Sequence, residues 1–141
     1  MKTFRTAGFL GALAGAALLL GDQAAAQQAQ LTRIGLGLAY DGFRSTHERQ
    51  VGSLYEDEST TFSVWLDQGT QYVFRGTCDR DCSDVDLELK RNGHVVESDF
   101  AADDVPEITV RPPRSGWYQV RVIMASCSIE PCGFAVGTFG R

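Results

Sequence analysis

The sequence predicts an all-β protein: an antiparallel β-sandwich, jelly-roll-like, of about eight strands, with a short N-terminal helix after a signal peptide. Three observations carry this. Apolar and polar residues alternate in five segments between Phe62 and Met124, the period of a strand with one face in a core and one in water. Turn-forming groups separate or flank those segments: Asp67-Gln68-Gly69, Asn92-Gly93, Pro112-Pro113, Ser115-Gly116 and Pro131. The 141 residues, 22% charged and 43% hydrophobic, have the ordinary composition of a single globular domain.

The first element is residues 1–26. Lys2 and Arg5 precede an apolar stretch from Ala7 to Leu20, and Ala24-Ala25-Ala26 offers small residues at both positions of a cleavage site. This is the layout of a secretory signal peptide. At 14 residues the stretch is shorter than the roughly 20 that a membrane span needs, and no later stretch is longer or more apolar. Removal of the leader leaves 115 residues with a net charge of −6. An acidic chain of this kind lacks the basic surface that nucleic acid requires.

Residues 27–50 read as a polar leader and a short helical segment ahead of the domain at 51–141. Leu31, Ile34 and Leu38 fall on one helical face, and Asp41-Gly42 marks the stop. Gly35 and Gly37 each cost this helix about 1 kcal/mol relative to alanine. The segment either caps the open end of the sandwich or presents its apolar face to a partner.

The strands follow. Phe62, Val64 and Leu66 alternate with Ser63 and Trp65, and Tyr72 and Phe74 with Gln71, Val73 and Arg75. Val85, Leu87 and Leu89 alternate strictly with Asp84, Asp86, Glu88 and Lys90. Ile108 and Val110 form the next segment, and Tyr118, Val120, Val122 and Met124 the last. Asn92-Gly93 suits a two-residue hairpin with positive φ at both positions, pairing 84–90 with 94–98.

Taken in order, these motifs resemble the bacterial pre-peptidase C-terminal domain. The residues that carry the resemblance are Phe62 to Leu66, then Gly69-Thr70-Gln71-Tyr72, then Asp84-Val85-Asp86-Leu87, the Asn92-Gly93 hairpin, and Gly116-Trp117-Tyr118-Gln119-Val120-Arg121-Val122. The last has one residue inserted between glycine and tyrosine. The resemblance covers about residues 52–139. It implies a jelly-roll-like sandwich of the kind appended to exported hydrolases, some of which bind calcium or insoluble polymers. The chain departs from the pattern in carrying no peptidase domain and in its four cysteines.

Cys78, Cys82, Cys127 and Cys132 in an exported chain imply two disulfides, with three connectivities open. Close spacing favours the local pairs Cys78–Cys82 and Cys127–Cys132, whereas the alternatives tie the two loops together. Intervals of three and four residues are not those of structural zinc.

Asp79, Asp81, Asp84 and Asp86 lie within eight residues. Clustered carboxylates are how secreted modules hold calcium, although an EF-hand is excluded because Lys90 stands where the bidentate glutamate belongs. The competing reading is a solvated acidic loop in which Asp84 and Ser83 bond turn amides. A second acidic group, Asp99, Asp103 and Asp104, reads as a solvated loop before Pro106.

Trp65 falls on the polar face of its strand and Trp117 at a strand entrance. Exposed tryptophans form platforms for sugar rings or partner proteins; the alternative is that each simply covers a sheet face. His47 and His94 are the only histidines, and no nucleophile elbow, metal-binding histidine pair or phosphate loop accompanies them. The expected function is that of a non-enzymatic exported module, periplasmic or extracellular, recognising a protein or polymer such as a polysaccharide through loops and aromatics. A calcium-stabilised polymer-binding module is the alternative, and a small secreted hydrolase the second.

Overall fold

The computed structural model describes residues 25–26, 29–30, 32–35 and 37–141. The expected signal peptide up to residue 24, and Leu31 of the expected helix, lie outside the described residues. Among the described residues nine strands follow one another: β1 (Arg44–Ser45), β2 (Gln50–Leu54), β3 (Ser59–Leu66), β4 (Tyr72–Cys78), β5 (Cys82–Arg91), β6 (His94–Asp99), β7 (Glu107–Val110), β8 (Gly116–Cys127) and β9 (Cys132–Gly140).

They form two antiparallel sheets. One has the order β3-β8-β5-β6; the other runs β9-β4-β7, with β1 and β2 end to end along the free side of β9. From β2 onward every connection except the β5–β6 hairpin crosses from one sheet to the other. That order is an eight-stranded jelly roll with β1 as a short extension.

The core is the one the alternation predicts. Val64, Leu66, Tyr72, Phe74, Val85, Leu87, Leu89, Ile108, Tyr118, Val120, Val122 and Met124 are all buried between the sheets. Each such side chain contributes about 1.5–3 kcal/mol by leaving water. Asn92 (φ 50°) and Gly93 (φ 78°) turn the expected hairpin, since both positions of the primed turn need the left-handed region.

β9 carries no alternation because it is buried on both faces. Phe134 and Val136 enter the main core, while Phe139 points the other way into a second cluster with Phe43 and Val73. Ile34 and Leu38 pack on that cluster. The helical segment, residues 32–35 and 37–40, therefore lies over the outer face of the β9-β4 sheet and not over the open end of the sandwich. It stops where expected: Phe43 N–H donates to Leu38 O (3.0 Å) and Gly42 N–H to Ala39 O (3.1 Å), with Gly42 at φ 84°. This is a Schellman ending, and its hydrophobic contact is Leu38 against Phe43.

Candidate functional site

The two ends of the sandwich are built differently. At one, the chain crosses between sheets through the Cys78–Cys82 and Cys127–Cys132 disulfides, which are the two local pairs that the spacing favoured. All four cysteines are buried, and Cys82 and Cys127 are register partners on β5 and β8. Asp79 locks this end. Its side chain is 7% exposed and accepts the Asp81 amide through Oδ1 (3.1 Å) and the Gly133 amide through Oδ2 (2.6 Å). The Asp79 amide in turn donates to Gly133 O (3.0 Å), and Asp81 O accepts both the amide and the hydroxyl of Ser128 (2.8 and 2.9 Å).

Asp84 and Asp86 lie farther along β5, beyond a register irregularity, and do not join Asp79 and Asp81. Their neighbours are Asp99 and Asp103, from the acidic group read as a solvated loop. Asp99 accepts the Ala101 and Glu107 amides (3.0 and 2.8 Å), while Asp103 accepts Val105 N–H on its side chain and Val85 N–H on its carbonyl. These bonds fold residues 100–106 against β5. Burial, then the charges of Asp84, Asp99 and Asp103, pushes Asp86 up to about 6. Burial and Asp103, partly offset by an amide hydrogen bond from Asp103, also raise Asp84. Oδ1 of each is buried without a hydrogen-bond partner.

The four residues Asp79, Asp81, Asp84 and Asp86 are thus divided between two places, Asp79 and Asp81 in the turn at the disulfides and Asp84 and Asp86 along β5. Among the described residues no group of three or more His, Cys, Asp or Glu side chains is arranged to hold a metal.

The opposite end carries the tryptophans. Trp65 on β3 and Trp117 on β8 are direct register partners, 44% and 64% exposed. Their rings meet edge to face, centroids 5.6 Å apart at 82°, the arrangement that the ring quadrupoles favour. Trp65 Nε1 donates to Asp67 Oδ1 (3.1 Å), and a His47 ring nitrogen bonds the Trp65 carbonyl (2.9 Å). Beneath them the loops are pinned together. Gln68 N–H donates to Ser115 Oγ (2.7 Å), Gly69 N–H to Pro112 O (3.2 Å) and Arg111 to Gly69 O (2.6 Å). The Arg91 guanidinium lies over the Tyr118 ring and donates to its hydroxyl (3.1 Å), which itself donates to Arg114 O (3.2 Å).

From the tryptophans a polar face runs across the β3-β8-β5 sheet. Ser63 pairs with Gln119, Thr61 with Arg121, and Arg121 and Gln119 face Glu88 and Lys90 on β5. Glu88 holds Lys90 at 2.7 Å and Arg121 at 3.9 Å. The face thus has an aromatic corner, a hydrogen-bonding centre and an acidic edge at Asp86 and Asp84. Sequence reasoning named the two tryptophans separately; their pairing across 52 positions carries no local signal. A separate cavity of about 290 Å³ opens between the edges of β2 and β3, lined by Gln50–Leu54, Thr60–Phe62 and Phe134. Its lining offers the hydroxyls of Ser53, Thr60 and Thr61 and the Gln50 amide beside Val51, Leu54, Phe62 and Phe134. Among the described residues no helix is long and apolar enough to cross a membrane.

No family model matches the chain, and no curated protein matches it either.

Proposed function

We propose that this protein is a non-enzymatic exported binding or accessory module that holds a polymer or protein partner against the outer face of the β3-β8-β5-β6 sheet. The observation that carries the reading is the Trp65–Trp117 pair, exposed to solvent yet fixed by register, by Asp67 and by the pinned loops below. Rigid aromatics bury large area at little entropic cost and dominate binding energy where they occur. Gln119, Arg121, Lys90, Ser63 and Thr61 beside them supply donors and acceptors for a hydroxyl-rich or peptide surface. The two disulfides belong to an oxidising environment, and the periplasm or the extracellular space is where we place the module. The resemblance to the pre-peptidase C-terminal domain supports an accessory role beside an exported hydrolase.

Co-sedimentation with insoluble polysaccharides and with fibrous protein tests this. The protein pellets with one of these classes, and Trp65→Ala and Trp117→Ala each weaken the association about tenfold or more while the domain stays folded. Pelleting unchanged in both variants removes the tryptophans from the site. Turnover in a hydrolase screen that survives repurification and falls in Asp86→Asn replaces the reading with a catalytic one.

A further inference from the structure

The four sheet edges are not equally protected. β7 is four residues long, opens on Glu107 and is flanked by Pro106 and Pro112. β6 carries Glu97 and Asp99 and a register bulge against β5. β2 is five residues long with Gly52 at its centre. These are the usual devices that blunt an edge. β3 has none of them: eight residues, Ser-Thr-Thr-Phe-Ser-Val-Trp-Leu, with no charge, proline or glycine, in unbroken register with β8.

Those of its main-chain groups that have no partner among the described residues can be assigned. Glu58 O accepts the Met124 amide of β8, so even-numbered residues here direct their backbone groups toward β8, and odd-numbered ones direct theirs to the open edge. The His47 bond to the Trp65 carbonyl from outside the sheet agrees with this. His47 also closes the edge at Trp65, leaving the N–H and C=O groups of Ser59, Thr61 and Ser63 facing outward.

We propose that β3 pairs antiparallel with β3 of a second copy of this chain, about a two-fold axis at Thr61. That register uses all six free groups of each strand, setting Ser59 opposite the second copy's Ser63 and Thr61 opposite its own counterpart. A second copy is the occupant because the edge is self-complementary there. Every facing pair on the outer side is Thr–Thr or Ser–Ser, which is favourable across strands, with no like charges opposed. On the inner side Phe62 of each copy lies opposite Thr60 of the other, at the mouth of the cavity that Thr60 and Phe62 line. A phenyl ring fits a space of about 290 Å³, and Phe62 is only half-buried without it. The same axis joins both outer faces into one eight-stranded surface, with the two Trp65 positions about 27 Å apart along the strands. A pairing this short falls at the weak end of specific interfaces, so the dimer forms in the micromolar range.

Sedimentation velocity of the full chain from 5 to about 500 μM, with hydrogen exchange, tests the pairing. The expected result is a concentration-dependent rise from monomer to dimer mass, with the Ser59, Thr61 and Ser63 amides gaining protection and those of β6 unchanged. Thr61→Lys opposes two ammonium groups at the axis on an exposed position; it weakens the dimer at least about tenfold and leaves the monomer's circular dichroism and melting intact. Monomer mass throughout overturns the proposal, and protection of those amides only on adding an unlike extended peptide assigns the edge to a different partner. A dimer that Thr61→Lys leaves unaffected also overturns it.

Discussion

Replacing Asp79 probes whether the acidic segment is architecture or a ligand site. The carboxylate is nearly inaccessible and satisfies two main-chain donors, Asp81 N–H in its own turn and Gly133 N–H at the start of β9. In Asp79→Ala both amides lose their acceptor. The Gly133 amide bonds to an ionised oxygen at 2.6 Å, a charge-assisted contact worth about 1.5–3 kcal/mol, and the Asp81 contact adds about 1 kcal/mol. The expected loss is about 3 kcal/mol, a large part of a small domain's stability. Asp79→Asn keeps one oxygen but turns its NH₂ toward the other amide, for a loss of about 1.5 kcal/mol. Urea unfolding at pH 7 with the disulfides intact reads both. With a slope of about 1.5 kcal/mol/M, the midpoint of Asp79→Ala falls by about 2 M. The same melts with and without millimolar calcium show no shift for the native sequence. A loss below about 0.5 kcal/mol, or calcium stabilisation that Asp79→Ala abolishes, would refute the reasoning.

Three further outcomes follow from the structure. Asp86 has its folded pKa raised from 3.8 to about 6, so the folded state takes up the proton more readily than the unfolded chain. The stability this contributes is fully present below pH 3.8 and is lost as pH rises through 6. The shift alone corresponds to about 3 kcal/mol, which solvent access at Asp86 screens to about 1 kcal/mol. Asp86→Asn is therefore more stable than the native sequence at pH 7 and equal to it near pH 4, as urea midpoints across that range will show. Removing the Cys78–Cys82 bridge by a double serine substitution returns a short loop's worth of conformational entropy to the unfolded chain and costs about 2 kcal/mol, read in the same melts. Gly93→Ala places a side chain at φ 78° in the hairpin and lowers stability by about 1 kcal/mol.

Much of this architecture is written in local pattern. β5 and β8 show it best: Val85, Leu87 and Leu89, and Tyr118, Val120, Val122 and Met124, are each buried at every second position, because a strand with one wet face must alternate. The Asn92-Gly93 hairpin and the Gly42 helix stop were legible for the same reason, since each needs only its own backbone conformation. β9 was not legible. It lies between β4 on one side and β1 and β2 on the other, with the helical segment over its outer face. A strand covered on both faces keeps no polar period, and its glycines are those of a turn in most sequences. Gly52, opposite Phe134, shows why close approach matters: a Cβ there would stand 2.9 Å from that ring.

The sequence by itself determined the strands that alternate and the hairpin between β5 and β6, and it favoured local pairing of the four cysteines while leaving three connectivities open; the structure closed the two local bridges. Only the tertiary structure decided which charges and rings act together. The acidic segment that reads as one cluster is divided, because the chain changes sheets at Cys78–Cys82: Asp79 turns back to Gly133, and Asp84 and Asp86 proceed along β5 to meet Asp99 and Asp103. Trp65 and Trp117 become a single feature only when β3 aligns with β8. Alternation and turns are fixed by interactions a few residues long, whereas pairing between strands depends on the order in which two sheets are assembled.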